Sequence, residues 1–340
     1  MGRGTTAKIG LRNPAPGLTG GLVLGLAVLT FGAVMIGPYG LTPGQTLAAL
    51  VGMGDDQAEI VVWNIRLPRV IAALVVGAAL AAAGASYQAL FRNPLVSPDI
   101  LGVSAGAGLG AVAGIFLSLP VAAIQASAFV GGMAAVGAVT LVASMVRNTD
   151  RTLTLVLIGV VIGALAGAST SLLKVMADPY DQLPAITFWL LGSLAAITTE
   201  DILPALPMVL VGLVPLGLLR WRINVLSLGD EEARALGVEA GRTRLLVIVA
   251  ATLITASVTA LAGVVGWVGL VIPHIARMLV GPGFGRLLPA SVLIGAGYLL
   301  VVDTLARTIA QAEVPLGILT AVIGAPFFVW LLARGRQGWS

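Results

Sequence analysis

Apolar runs of about 20 residues follow one another along almost the whole chain, separated only by brief charged or Pro/Gly-bearing breaks. A helix rising 1.5 Å per residue needs that length to cross roughly 30 Å of hydrocarbon. Since a bilayer offers no water to unpaired backbone groups, such segments can only be helices or strands of a closed barrel, and the alternation that marks barrel strands does not recur. The runs lie at 18–38, 67–90, 98–117, 121–145, 152–175, 201–219, 243–263, 267–281, 288–308 and 316–333. The expected fold is therefore all-α and integral to the membrane, with ten transmembrane helices in a single domain over residues 1–340. Residues 176–200 are too polar and proline-broken for a full span, although Ile186 to Leu194 predicts a short interfacial or re-entrant helix outside the ten. At 58% hydrophobic and 10% charged, the chain has too little polar surface to fold in water, and its 44 glycines suit closely packed helices in lipid.

Charge placement orients these spans. With the N-terminus inside, Arg3, Lys8, Arg12, Arg92, Arg147, Arg151, Arg220, Arg222, Arg234, Arg242, Arg244, Arg286, Arg334 and Arg336 all fall on the cytoplasmic side, which satisfies the positive-inside rule. Residues 1–17 read as a retained cytoplasmic tail, and the C-terminus is cytoplasmic too. The opposite side collects Asp55, Asp56, Glu59, Asp178, Asp181, Glu200, Asp201 and Glu313, against which Arg66, Arg69 and Arg307 stand out. Basic residues scattered over helix-flanking loops form no patch for nucleic acid. The absence of cysteine excludes disulfides and thiol chemistry, and the lone His274 reads as a structural hydrogen-bonding group rather than a metal ligand; no metal site or catalytic constellation is expected. Asp303, costly inside a membrane, is expected to pair with Arg307 on its own helix face.

One stretch breaks the pattern. Residues 220–244 are densely charged and helix-prone, with Ser227 placed to cap a short helix, Asp230, Glu231 and Glu232 in its first turn, and Gly237 to end it. Leu228, Ala235 and Leu236 leave an apolar edge for a partner outside the membrane. A short internal match also appears: Ala83-Gly84, Pro94 and Gly102 recur as Ala262-Gly263, Pro273 and Gly281, displaced by 179 residues, which predicts two halves inverted relative to each other.

The stretches Arg66-Leu-Pro-Arg69, Gln88-Ala-Leu-Phe-Arg-Asn-Pro-Leu95, Leu101-Gly-Val-Ser-Ala-Gly106, Leu228-Gly-Asp-Glu-Glu-Ala-Arg-Ala-Leu-Gly237, Gly269-Leu-Val-Ile-Pro-His274 and Pro315-Leu-Gly-Ile-Leu-Thr-Ala-Val-Ile-Gly-Ala-Pro326 together resemble the permease subunits of ATP-driven importers for iron-siderophores, haem and vitamin B12, the FecCD type, from about residue 60 to the end. The resemblance implies an inverted-repeat type II ABC importer permease fold in a bacterial inner membrane. It further implies a homodimer, two cytoplasmic ATPase subunits carrying ATP and Mg, and a periplasmic binding protein, with lipid around them and no cofactor bound by this chain. By the same resemblance, Leu228, Gly229, Asp230, Glu231, Ala233, Leu236 and Gly237 couple to the ATPase, and Arg66, Arg69 and Arg307 dock the binding protein. Asn93, Leu95, Thr152 and Thr154 would form the cytoplasmic gate. The implied cargo is an iron chelate, haem or a ferric siderophore, with cobalamin as the alternative. The residues agree independently on one point: no Gly-Lys-Ser or Gly-Lys-Thr occurs, so the chain has no P-loop of its own. A proton-coupled secondary transporter is the rival reading, but Asp303 and Asp99 are the only acidic candidates for carrying protons.

Overall fold

The computed structural model describes residues 17–146 and 151–334. Arg3, Lys8, Arg12, Arg147 and Arg336, with most of the expected N-terminal tail, lie outside the described residues. Within them the chain is helical throughout: α1 (Gly17–Met35), α2 (Pro43–Leu50), α3 (Asp56–Ile60), α4 (Leu67–Leu90), α5 (Val103–Phe116), α6 (Val121–Met145), α7 (Arg151–Met176), α8 (Gln182–Leu191), α9 (Thr199–Leu218), α10 (Arg220–Leu226), α11 (Asp230–Ala235), α12 (Ala240–Ala262), α13 (Val268–Val280), α14 (Phe284–Ala306) and α15 (Leu316–Arg334). Among the described residues, seven helical stretches are long and apolar enough to cross a membrane, including a continuous one from Asp56 to Leu90. The three remaining expected spans are the shorter apolar helices α5, α13 and α15, and α8 occupies the place of the short helix expected near Ile186.

Burial divides the helices into a centre and a periphery. The apolar windows of α4 and α12 are each 78% buried within the chain, whereas those of α1 and α7 are only 11% and 17% buried. Side chains that point away from the protein in a membrane helix need no polar face, so α1 and α7 stay apolar all round. Small residues bring the central helices together. A methyl group added at Gly84 in α4 would overlap the carbonyl oxygen of Gly269 in α13, and one at Gly77 would overlap that of Gly295 in α14.

The two halves pack alike. α4 lies against α13 and α14 as α12 lies against α5 and α6, while α5, α6 and α7 pack on one another as α13, α14 and α15 do. As second and seventh spans, α4 and α12 cross in opposite directions, so the repeat is inverted as expected. Its register is not the 179-residue offset. Gly84 sits inside α4 whereas Gly263 caps the end of α12, and Gly102 opens α5 whereas Gly281 closes α13. The counterpart of Gly102 is Trp267: both precede the short second helix of their half, with φ of 77° and 70°. Trp267 is held in that costly left-handed conformation by packing against Gly324 and, edge-on at 6.4 Å between ring centroids, Phe328 of α15.

Candidate functional site

The polar residues gather at the two ends of the bundle. At the end carrying the 220–244 insert, the chain leaves α9 through α10, turns, and forms α11 before entering α12. Gly229, with φ of 145°, takes the N-cap position of α11; Ser227 does not cap it, because its hydroxyl donates instead to the Asn224 carbonyl at 2.6 Å. The C-terminal end follows the expectation. Gly237 has φ of +77°, its N–H donates to the Arg234 carbonyl at 3.0 Å, and Val238 N–H reaches back to the Ala233 carbonyl at 2.8 Å. These two bonds form a Schellman end, with buried Val238 against buried Ala233 completing its apolar contact.

α11 consequently has two faces. Leu228 and Leu236 are 62% and 52% exposed, and Glu231 and Gly237 are exposed beside them. Ala233 and Gly229, also expected to couple to the ATPase, are buried and seat α11 on its own chain. Asp230 is turned sideways, its Oδ1 accepting from Arg244 Nη2 of α12 at 3.0 Å and from Arg92 Nη2 at 3.2 Å.

Arg92 belongs to the turn that follows α4. That helix also ends in a Schellman motif, with Arg92 N–H to Ala89 O at 3.4 Å and Asn93 N–H to Gln88 O at 3.2 Å, so Arg92 occupies the left-handed position that usually goes to glycine (φ 50°). Asn93 Oδ1 accepts from Leu95 N–H at 2.9 Å, and both Asn93 and Leu95 are exposed. Thr152 and Thr154 lie in the first turn of α7, Thr152 half-buried and Thr154 buried. The two pairs thus come from neighbouring elements, since Gly159 of α7 abuts the Ile100 carbonyl in the 3₁₀ turn Pro98–Leu101. Gln88, in the last turn of α4, ties in α13: its Nε2 donates to Leu270 O at 3.0 Å and its Oε1 accepts from Arg277 at 3.1 Å. His274 between them makes no expected structural hydrogen bond at Nδ1, which is buried with no partner among the described residues.

At the other end, Pro68 shapes the site. Proline lacks an N–H and crowds the carbonyl four residues before it. The helix widens there into a π-turn over Val61–Arg66, with Leu67 N–H donating to Val62 O, and this aims Arg66 inward. Arg66 is 2% exposed and donates to the carbonyls of Val34 at 2.9 Å, Met35 at 3.2 Å and Tyr39 at 2.7 Å, and to Thr46 Oγ1 at 3.3 Å. Arg69 donates through Nε to Asp303 Oδ1 at 2.9 Å and grips Glu313 with both terminal nitrogens at 2.9 and 2.7 Å. Arg307 donates to Ala33 O at 2.7 Å and lies 3.7 Å from Asp303. All three arginines expected to dock a binding protein are buried within this chain, and their guanidinium groups fasten α1, α4, α14 and the α14–α15 loop to one another. Asp303 does pair with Arg307, but its closer partner is Arg69 at 2.8 Å. Glu313, which the sequence placed on this side without a role, closes the cluster.

Comparison with known proteins adds to this geometry. The model of the FecCD transport family matches residues 25–334. The molybdate import system permease protein MolB of Haemophilus influenzae is 40% identical over 329 residues, 95% of this chain and 97% of that protein. The hemin transport system permease protein HmuU of Yersinia pestis is 38% identical over 330 residues, 94% and 96% respectively. A solved inward-facing conformation of a metal-chelate type ABC transporter superposes with a TM-score of 0.86 at 39% identity, covering 94% of this chain and all of that one. With inverted halves around α4 and α12, a helical insert at one end and a family match spanning nearly all the described helices, the chain belongs to the FecCD transport family of multi-pass ABC importer permeases.

Proposed function

We propose that two copies of this chain form the membrane pathway of a binding-protein-dependent importer in a bacterial inner membrane, with the insert-bearing end in the cytoplasm. The observation that carries this reading is α11, a helix capped at its C-terminus, seated by Ala233 and Val238 yet presenting Leu228, Glu231 and Leu236 to a partner. Two ATPase subunits dock there and supply the nucleotide chemistry, ATP and Mg included, since this chain has no P-loop.

When the ATPase subunits close, α11 moves with them. Asp230 passes that movement to α12 through Arg244 and to the turn bearing Asn93 and Leu95 through Arg92, so that the cytoplasmic gate and the coupling helix shift together. Thr152 and Thr154 line the same gate from α7. The exposed apolar face of α7 (Leu157, Val161, Ala164, Ala168 and Val175 among others) is where the second copy packs, its small residues allowing close approach along the pathway. A periplasmic binding protein delivers cargo at the opposite end, where the arginine cluster keeps the outer helix ends in place.

The cargo we assign is a metal chelate, haem or a ferric siderophore, supported by the likeness to the haemin permease and to the metal-chelate transporter. Molybdate is the second reading, favoured by the 40% identity to MolB. Co-purification tests the coupling surface: the wild-type chain should retain its ATPase subunits in detergent, and Leu236→Asp should lose them while remaining dimeric. Transport assays with the cognate binding protein, offered ferric chelates and molybdate in competition, then separate the two cargo readings.

A further inference from the structure

α8 is fastened to both inverted halves of the chain, and the two fastenings differ in kind. Its first residue, Gln182, donates through Nε2 to the carbonyl of Phe116 at the end of α5 at 2.9 Å and to Ser118 Oγ at 3.4 Å, while its Oε1 accepts from Asp178 N–H at 3.1 Å. A single amide therefore holds this end to the first half. At the other end the bonds run between backbones. Gly192 O accepts from the N–H of Leu316, which opens α15, and Ser193 N–H donates to the carbonyl of Ala262, which ends α12, both at 2.9 Å. Gly263 and Gly317 let the carbonyls of Trp189 and Leu191 lie where an added methyl would overlap them. Ser193 Oγ also donates to Glu313 at 3.3 Å, which joins this end of α8 to the arginine cluster.

Three further features mark the Gln182 end as the one that lets go. Gly192 has φ of 72°, a conformation suited to glycine, and rotation about that φ turns α8 while leaving Gly192 O and Ser193 N–H on their partners. Beside α8, a cavity of about 300 Å³ separates Phe188 and Trp189 from Val121 and Ile124 of α6 and from Ala260 and Leu261 of α12. Packing along the helix resists such a turn at one residue, since Ile186 alone is buried in α8. A shift of α5 against α15, which rocking of the two halves produces, must therefore be taken up at α8. We infer that α8 is a strap carried by the second half, pivoting at Gly192 into this cavity, with Gln182 as the clasp that holds its far end on α5. The use of that movement in transport rests on the reading under Proposed function; the pivot and the clasp do not.

Double electron–electron resonance on the detergent-purified chain tests the strap without any transport or ATPase readout, so it can fail or succeed separately from the importer reading. Nitroxides are attached through Pro184→Cys on α8 and Ile309→Cys on the α14–α15 loop, both exposed positions in a chain with no cysteine of its own. Pro184 lies about 12 Å along the helix from Gly192, so a turn of about 20° carries its label about 4 Å. Releasing the clasp with Gln182→Leu, or with Gln182→Asn, whose shorter side chain draws the amide back from Phe116, should add a second distance about 4 Å or more from the first. Adding Val121→Trp, which fills the cavity from the exposed start of α6, should remove that second distance. One unchanged distance in both Gln182 variants would overturn the proposal. So would a second distance that persists with Val121→Trp, and so would a broad spread in place of two distances, which would mean that α8 unravels rather than pivots.

Discussion

Arg69 holds two carboxylates at once in a place where neither charge can reach water freely: Asp303 is fully buried, and Glu313 is only partly exposed. Removing one partner of a buried pair costs more than the pair contributes, because the survivor stays buried without compensation. Arg69→Met should therefore destabilise the protein by about 3–5 kcal/mol, measurable as a lower unfolding temperature in detergent, and Glu313→Gln should cost clearly less because Asp303 keeps its arginine. Equal losses in the two variants would contradict this ranking. At the other end, Arg92 adopts a left-handed conformation that costs a non-glycine residue about 1–2 kcal/mol, and its reward is the bond to Asp230. Arg92→Gly should leave thermal stability unchanged or slightly raised while weakening the coupling of ATP hydrolysis to uptake; normal coupling would remove Arg92 from the transmission path. The arginines themselves were legible in the sequence as outliers among acids, but their burial was not. Nothing in Arg66-Leu-Pro-Arg69 reveals that a π-turn rotates Arg66 inward, and the Arg69 partners lie more than 230 residues away.

Among the helices, length and apolarity located the ten spans because hydrocarbon thickness admits few alternatives, and the polarity of residues 176–200 was enough to demote α8 to a short helix. Other features answered to forces that apolar runs do not record. α2 went unread although Thr42 and Gln45 form a reciprocal capping box, a spacing visible in the sequence once sought. The inverted repeat was real but misregistered, since glycines and prolines recur for separate reasons: Gly84 admits α13, while Gly263 merely ends α12. Gly84→Leu should consequently disrupt assembly of the bundle far more than a leucine at Gly163, where an added Cβ meets open space within the chain; expression and monodispersity in detergent report the difference. For α11, the glycine end was readable and the N-cap was not, because Ser227 found a nearer carbonyl. Gly237→Ala should cost about 1 kcal/mol by straining a left-handed position, and hydrogen exchange at Val238 should quicken accordingly.

For the whole molecule, the orientation assigned to the two ends carries its own check. The native chain has no cysteine, so a cysteine introduced at Glu231 should react with a membrane-impermeant maleimide only in inside-out vesicles, and one at Asp181 only in intact spheroplasts. The reverse pattern would invert the topology. Two ion-pair clusters bracket a bundle whose central helices are buried and whose α7 face is exposed, an arrangement suited to the proposed rocking of one half against the other. The central claim is that this force comes from a separate ATPase, and reconstituted vesicles test it most directly. Vesicles holding this chain with its ATPase subunits and binding protein should accumulate cargo when ATP is supplied, Glu231→Arg should let hydrolysis continue while uptake stops, and this chain alone under an ion gradient should accumulate nothing. Uptake driven by the gradient without the ATPase would contradict the account.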